Sequence, residues 1–349
     1  MDNILPAYND PLFSVLVIII LILIVATSSL VMGRVKEKNK RKTLNTFLNG
    51  FKKNSQVLEI EEMPFEEALI KPLTLLAQAF NNQGEYQKSI NLNLYLIDNI
   101  SNFFEKEKIL EQLGKTYLKA GFLKRSESIF LEILRKHPRN KTALYDLGVV
   151  YELLLEYDKA LETLKPLKIL GENTDSIEAH IKLTQLLNNK AHSKADKVTA
   201  LCTLLQNEHY PYYRIMKALF SLDLEAAWAN VQTDKIHSIL DILWFLPSLN
   251  LNLDIISQDE TLSAIFFAKG EIAENKVTSK SNIFTVDTIV SAKKGGDDNV
   301  DLLFNYGCGK CKQHFPIGFT RCPKCYAIDA IQIKETLAKK QSQTSYSLL

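Results

Sequence analysis

The chain has 349 residues, of which 46% are hydrophobic and 23% are charged, enough for one or two domains with a substantial core. Its 42 basic and 40 acidic residues leave a net charge of +2, so nothing in the overall balance points to nucleic acid or to a strongly acidic partner. Four of the five cysteines lie in one C-terminal stretch, which sets that stretch apart from the rest of the chain.

No charged residue occurs from Pro11 to Gly33, and Leu12 to Ala26 is almost purely aliphatic. At about 1.5 Å per residue, roughly 21 residues cross a hydrocarbon layer about 30 Å thick, so residues 1–33 are expected to be a short leader and a transmembrane helix. A cleaved signal peptide would want a positive start and a small-x-small site; the leader carries Asp2 and Asp10 instead. Arg34, Lys36, Lys38, Lys40, Arg41 and Lys42 follow, opposed only by Glu37. The positive-inside rule then places the N-terminus outside and the bulk of the chain in the cytoplasm. Residues 34–62 read as a basic flank and polar linker.

Helical periodicity starts near Phe65 and runs to about residue 298. Leu113, Gly114 and Tyr117 recur 34 residues later as Leu147, Gly148 and Tyr151; Ser126 and Ala160, and Phe130 and Leu164, share further positions. Pro138 closes one unit. This is the tetratricopeptide register, in which small residues let the two helices of a unit approach closely. An earlier unit carries Gly84, Tyr86 and Ser89; a worn one spans Ile177–Leu187 and residues 197–206. Beyond residue 210, short helices are expected at 212–223, 225–231, 236–245 and 260–268, with 295–298 as a turn. The predicted fold class is all-α: a tetratricopeptide helical solenoid with one N-terminal transmembrane helix and a small C-terminal four-cysteine module of the zinc-ribbon or rubredoxin-like kind. Cys202 is expected to be a buried core thiol.

A repeat solenoid presents the first helices of its units as a concave face. Helical spacing puts Lys71, Thr74, Gln78 and Asn81 on it, then Lys108, Glu111, Lys115 and Leu118, then Thr142, Tyr145, Val149 and Glu152. Their mixture of Lys, Gln, Asn and Tyr suits a protein or peptide segment better than an apolar ligand. The same surface admits self-association into a homo-oligomer.

Residues 299–334 hold Cys308-Gly-Lys-Cys311 and Cys322-Pro-Lys-Cys325, separated by ten residues. Two facing C-x-x-C turns form a tetrahedral four-thiolate site, so Cys308, Cys311, Cys322 and Cys325 are the expected ligands of a structural Zn²⁺. Iron is a second metal that the ligand set accepts. Two disulfides or four idle thiols fit poorly with a reducing compartment. With all four positions filled by cysteine, none is open for catalysis. His314, between the pairs, reads as an exposed loop residue. Residues 335–349 read as a flexible tail. The six histidines show no H-E-x-x-H spacing, and there is no nucleophile elbow, P-loop or dinucleotide fingerprint, so no catalytic residue is assigned and the chain is read as a non-enzyme.

The order of span, basic flank, repeats and cysteine module resembles the lipopolysaccharide assembly protein B (LapB) family. The most specific stretches are Gln83–Ile90, Leu113–Gly121 with Ser126–Phe130, and the two C-x-x-C pairs. The resemblance implies a metal module docked on the repeats, in a single-pass protein of the bacterial inner membrane. It implies an adaptor role: bringing the lipid A deacetylase to the membrane AAA+ protease FtsH, and so limiting lipopolysaccharide output. This chain departs from the family in its shorter length, its eroded repeats after about residue 190 and its longer leader. The alternative reading is a repeat scaffold for another bacterial envelope complex.

Overall fold

The computed structural model describes residues 65–273 and 281–340. The expected transmembrane span, basic flank and residues 341–349 lie outside them. Among the described residues no helix is long and apolar enough to cross a membrane.

Eight helices form the first part: α1 (Ile70–Gln83), α2 (Tyr86–Asn99), α3 (Phe103–Lys119), α4 (Leu123–Lys136), α5 (Lys141–Leu153), α6 (Tyr157–Ile169), α7 (Asp175–Asn188) and α8 (Lys194–Leu204). From α1 to α7 each helix packs on the next, which is the repeated-helix arrangement the register predicts. Local signals start and stop them. Asn102 and Asn140 cap α3 and α5 through their side-chain oxygens, and Ser193 with Asp196 forms a capping box on α8. The turn after α5 puts Leu155 at φ 61°, in the left-handed region, where the turns after α1 and α3 have Gly84 and Gly121.

The glycines inside the helices have a different role. A Cβ on Gly114 would stand 2.7 Å from the Phe130 ring, and one on Gly148 would stand 2.8 Å from Thr163 Oγ1. Ser126 Oγ also donates to the Gly114 carbonyl at 2.8 Å. Small residues at these two crossings therefore set how closely each helix pair packs. Phe130, Ile133, Leu147, Ala160 and Leu167 fill the core of the repeats.

The helices beyond α8 are shorter and more irregular: α9 (Tyr212–Leu222), α10 (Leu224–Ala229), a 3₁₀ turn (Thr233–Ile239), α11 (Leu240–Trp244), α12 (Leu253–Gln258), α13 (Glu260–Lys269) and α14 (Phe284–Lys294). They share a second core around Met216, Trp228, Leu243 and Phe266. Cys202 is only half-buried at its margin, where it accepts from Asn230 Nδ2 at 3.6 Å.

The rest is β structure. Strands β1 (Val300–Cys308), β2 (His314–Phe315) and β3 (Ile331–Lys339) form an antiparallel sheet in the order β2-β1-β3. The register runs from Val300 opposite Lys339 to Cys308 opposite Ile331. Alternate residues of β1, Leu302, Phe304 and Tyr306, turn inward and join the second helical core. The all-α description therefore holds for the helices alone. Residues 335–339, expected in the tail, belong to β3, because their backbone completes the ladder with β1.

Candidate metal centre

Two matching turns build the centre. In each, the amide of the first cysteine donates to the carbonyl five residues on, Cys308 to Gln313 at 2.9 Å and Cys322 to Ala327 at 2.8 Å. The residue after the second cysteine donates back to the first: Lys312 to the Cys308 carbonyl at 2.8 Å, Tyr326 to that of Cys322 at 2.9 Å. Lys312 and Tyr326 both take positive φ, 59° and 58°, which folds each turn around its sulfurs. The first turn grows from the β1–β2 end, with Gly307 opposite His314; the second is closed by a bridge between Arg321 and Ile328.

The four sulfurs lie within 4.8 Å of one another. Cys308 Sγ is 3.7 Å from Cys325 Sγ, and Cys311 Sγ is 3.7 Å from Cys322 Sγ. A tetrahedron with metal–sulfur bonds of about 2.3 Å has edges of about 3.8 Å, so the donor set fits a four-coordinate ion. These distances are too long for disulfide bonds, and all four thiols are free. Burial pushes the Cys325 thiol up to about 12. At Cys308 burial acts the same way, but the amides of Cys311 and Lys310 outweigh it and bring the thiol down to about 7. His314 is exposed in β2 and is not one of the four.

While β1 packs into the second helical core, the second cysteine turn is tied to the repeats by a long-range ion pair. Arg321, next to Cys322, places Nε 3.1 Å from Glu152 Oε1 and also bonds Glu152 Oε2 through Nη2. Its Nη1 donates to the Tyr326 carbonyl, so one guanidinium ties the second cysteine turn to α5. Glu152 also bonds His180 Nε2 at 2.9 Å, and His180 Nδ1 lies 2.9 Å from Arg214 Nη1. All three of these repeat-side residues are buried. Burial alone would raise the Glu152 carboxyl; His180 and Arg321 overcome that and hold it down to about 2. Tyr326 completes the junction, its hydroxyl 3.4 Å from the Leu118 carbonyl and its ring against the repeat core.

Most of the residues expected on the concave face line two clefts beside the second cysteine turn, and several already have partners. Glu152 is occupied by Arg321 and His180. Leu118 is buried beside Tyr326. Glu111 accepts from Asn140 at 2.6 Å, Gln78 donates to Gln112 at 3.3 Å, and Thr74 bonds back to the Ile70 carbonyl at 2.6 Å. Tyr145 reaches Glu172 at 3.4 Å, and Lys115 stands 3.5 Å from Asp146. Thr142 and Val149 line a cleft against Tyr326 and Arg321. Lys71 and Lys108 are exposed, and Asn81 is buried. Arg321, Tyr326, His180 and Arg214 were not singled out by sequence reasoning. An arginine beside a C-x-x-C pair was the available signal, but its partner lies 169 residues away.

No family model matches the chain. Over 160 residues it is 23% identical to lipopolysaccharide assembly protein B of Escherichia coli K12, covering 45% of this chain and 41% of that protein. Over 139 residues it is 25% identical to the Haemophilus influenzae protein of the same name, covering 39% and 34%. The matched region thus spans less than half the length of these curated relatives. By these matches, its paired helices and its four-cysteine cluster, the chain resembles lipopolysaccharide assembly protein B.

Proposed function

We propose that this protein is a membrane-anchored adaptor that regulates lipopolysaccharide biosynthesis. It sits in the bacterial inner membrane as a single-pass protein, with its N-terminus periplasmic and its repeats cytoplasmic. The tetratricopeptide face binds protein clients and presents the lipid A deacetylase to the membrane protease FtsH. The four cysteines hold a structural Zn²⁺. A closed set of four thiolates suits zinc, leaves no coordination position for a substrate, and supplies the folding energy of a module too small for a core of its own.

The observation that carries this reading is the Arg321–Glu152 junction. It brings the cysteine turn against a cleft lined by repeat helices, which supports reading the two as one client-binding surface. Binding and presentation need a rigid composite surface of this kind; a reaction centre would need an open position or a titrating pair. The similarity to lipopolysaccharide assembly protein B supplies the biological setting.

Affinity copurification from solubilised membranes tests it, comparing the intact chain with a Cys308→Ser, Cys325→Ser form. The lipid A deacetylase and FtsH are expected with the intact chain and lost with the variant. Recovery of a different envelope complex in their place would overturn the regulatory role.

A further inference from the structure

Next to the junction, α1, α3 and the second cysteine turn enclose an open cleft of about 650 Å³. Four ammonium groups line it: Lys108, Lys115 and Lys119 from α3, and Lys324 from the Cys322–Cys325 turn. Lys115 has Asp146 at 3.5 Å, and Lys324 donates to the neutral Gln313 at 3.1 Å. Among the described residues, Lys108 and Lys119 have no carboxylate within ion-pair distance. Burial, then repulsion from Lys324 and Lys115, holds the Lys119 ammonium below its usual range. Positive charge that is clustered, partly desolvated and unmatched favours an anionic occupant. Asn81 is one of the lining residues, 8% exposed, with an Oδ1 that accepts no hydrogen bond. A buried amide oxygen without a donor is costly, and an N–H from a bound group would satisfy it once the side chain turns toward the cleft.

These features separate a peptide from other anions. Asp146 and Glu111 also line the cleft and leave it a small, divided positive excess, which suits single carboxylates spaced along a chain better than a compact, multiply charged phosphate or lipid headgroup. Both can accept backbone N–H groups, as Asn81 Oδ1 can. Mixed acceptors between lysines match a chain that alternates side-chain carboxylates with amides. The volume suits a segment of a few residues.

Resting on the adaptor reading, we propose that this cleft is a client-docking site for an extended acidic peptide. Its carboxylates pair with Lys108, Lys119 and Lys324, and its backbone amide donates to Asn81. The metal module then contributes a recognition residue, Lys324, as well as a wall.

The test uses the full chain, metal-bound, in detergent micelles, with a library of random ten-residue peptides displayed on phage. Selection is expected to enrich sequences carrying two or more Asp or Glu within five residues. Fluorescence anisotropy then measures an enriched synthetic peptide on the parent and on a Lys119→Gln, Lys324→Gln variant. Losing two partly exposed charge pairs is expected to weaken binding about tenfold. Lys324 is exposed and Lys119 is half-buried with no carboxylate partner among the described residues, so the melting temperature should stay within about 2 °C of the parent; Lys108→Gln, at an exposed position, is the second variant. Selection without acidic enrichment, or unchanged affinity in both variants, overturns the site. So does displacement of the peptide by inorganic phosphate or by vesicles of anionic phosphatidylglycerol. If the deacetylase still requires this protein for turnover in cells, the adaptor reading stands while the site fails.

Discussion

Replacing Arg321 with glutamine removes the guanidinium between the second cysteine turn and α5 without touching a metal ligand. The drop of the Glu152 carboxyl from its usual value near 4.5 to about 2 corresponds to about 3 kcal/mol at about 1.4 kcal/mol per unit of pKa. His180 and Arg321 both contribute to it, so the substitution removes a part of it. It also strips the Tyr326 carbonyl of its Arg321 donor, a further cost of about 1 kcal/mol. The total, on the order of 2 kcal/mol, falls on the contact between the second cysteine turn and α5. Hydrogen exchange of the metal-bound full chain reads this directly. Amides of the second cysteine turn, residues 321–328, should exchange roughly thirty-fold faster, while those of β1, α3 and α4 change little. The effect depends on pH with a defined sign. A depressed carboxyl stabilises above its unfolded value, and that stability is lost as the pH falls from about 4.5 toward 2, so parent and variant should converge there. Exchange within twofold of the parent at pH 7, where an exposed Arg139→Gln control changes nothing, would refute the reasoning.

Other perturbations probe separate parts of the account. Gly114→Ala should destabilise the repeats by about 2 kcal/mol in urea unfolding, since the new Cβ meets the Phe130 ring at 2.7 Å; pairing it with Phe130→Leu should recover part of the loss. Leu155→Gly should stabilise by about 1 kcal/mol, because φ 61° strains leucine and not glycine. Burial raises the Asp146 carboxyl to about 6, more than Lys115 at 3.5 Å can offset. A raised carboxyl costs stability as the pH climbs past its unfolded value, so Asp146→Asn should gain about 1 kcal/mol at pH 7.5 and nothing near pH 4. Elemental analysis should find one metal ion per chain, lost in Cys322→Ser together with the near-ultraviolet dichroism of Tyr306 and Tyr326.

Much of this was legible because it is local. Gly114, Ser126 and Phe130 meet at one helix crossing, and that crossing recurs, so its size requirements are written at a fixed spacing. The cysteine cluster was legible because each C-x-x-C turn is local, and two such turns leave one closed geometry. The Arg321–Glu152 pair was not legible, since Glu152 occupies a register position that reads as a client-facing residue; only the fold brings Arg321 to it. Sheet formation was half-visible. Leu302, Phe304 and Tyr306 alternate as a strand does, but β3 carries polar and apolar residues on both faces and is fixed only through its ladder with β1. Beyond α8 the helices shorten because packing against β1 and against one another replaces repeat stacking, and the spacing signature has no reason to persist.

On the proposed function, the cysteine module and the repeats act as one surface through which a client reaches its protease. The half-life of the lipid A deacetylase, followed by pulse-chase in cells carrying the parent chain, no chain, or Arg321→Gln at matched levels, tests it most directly. Rapid turnover is expected with the parent, a several-fold longer half-life without it, and an intermediate value for Arg321→Gln. A half-life that ignores the presence of the protein would contradict it.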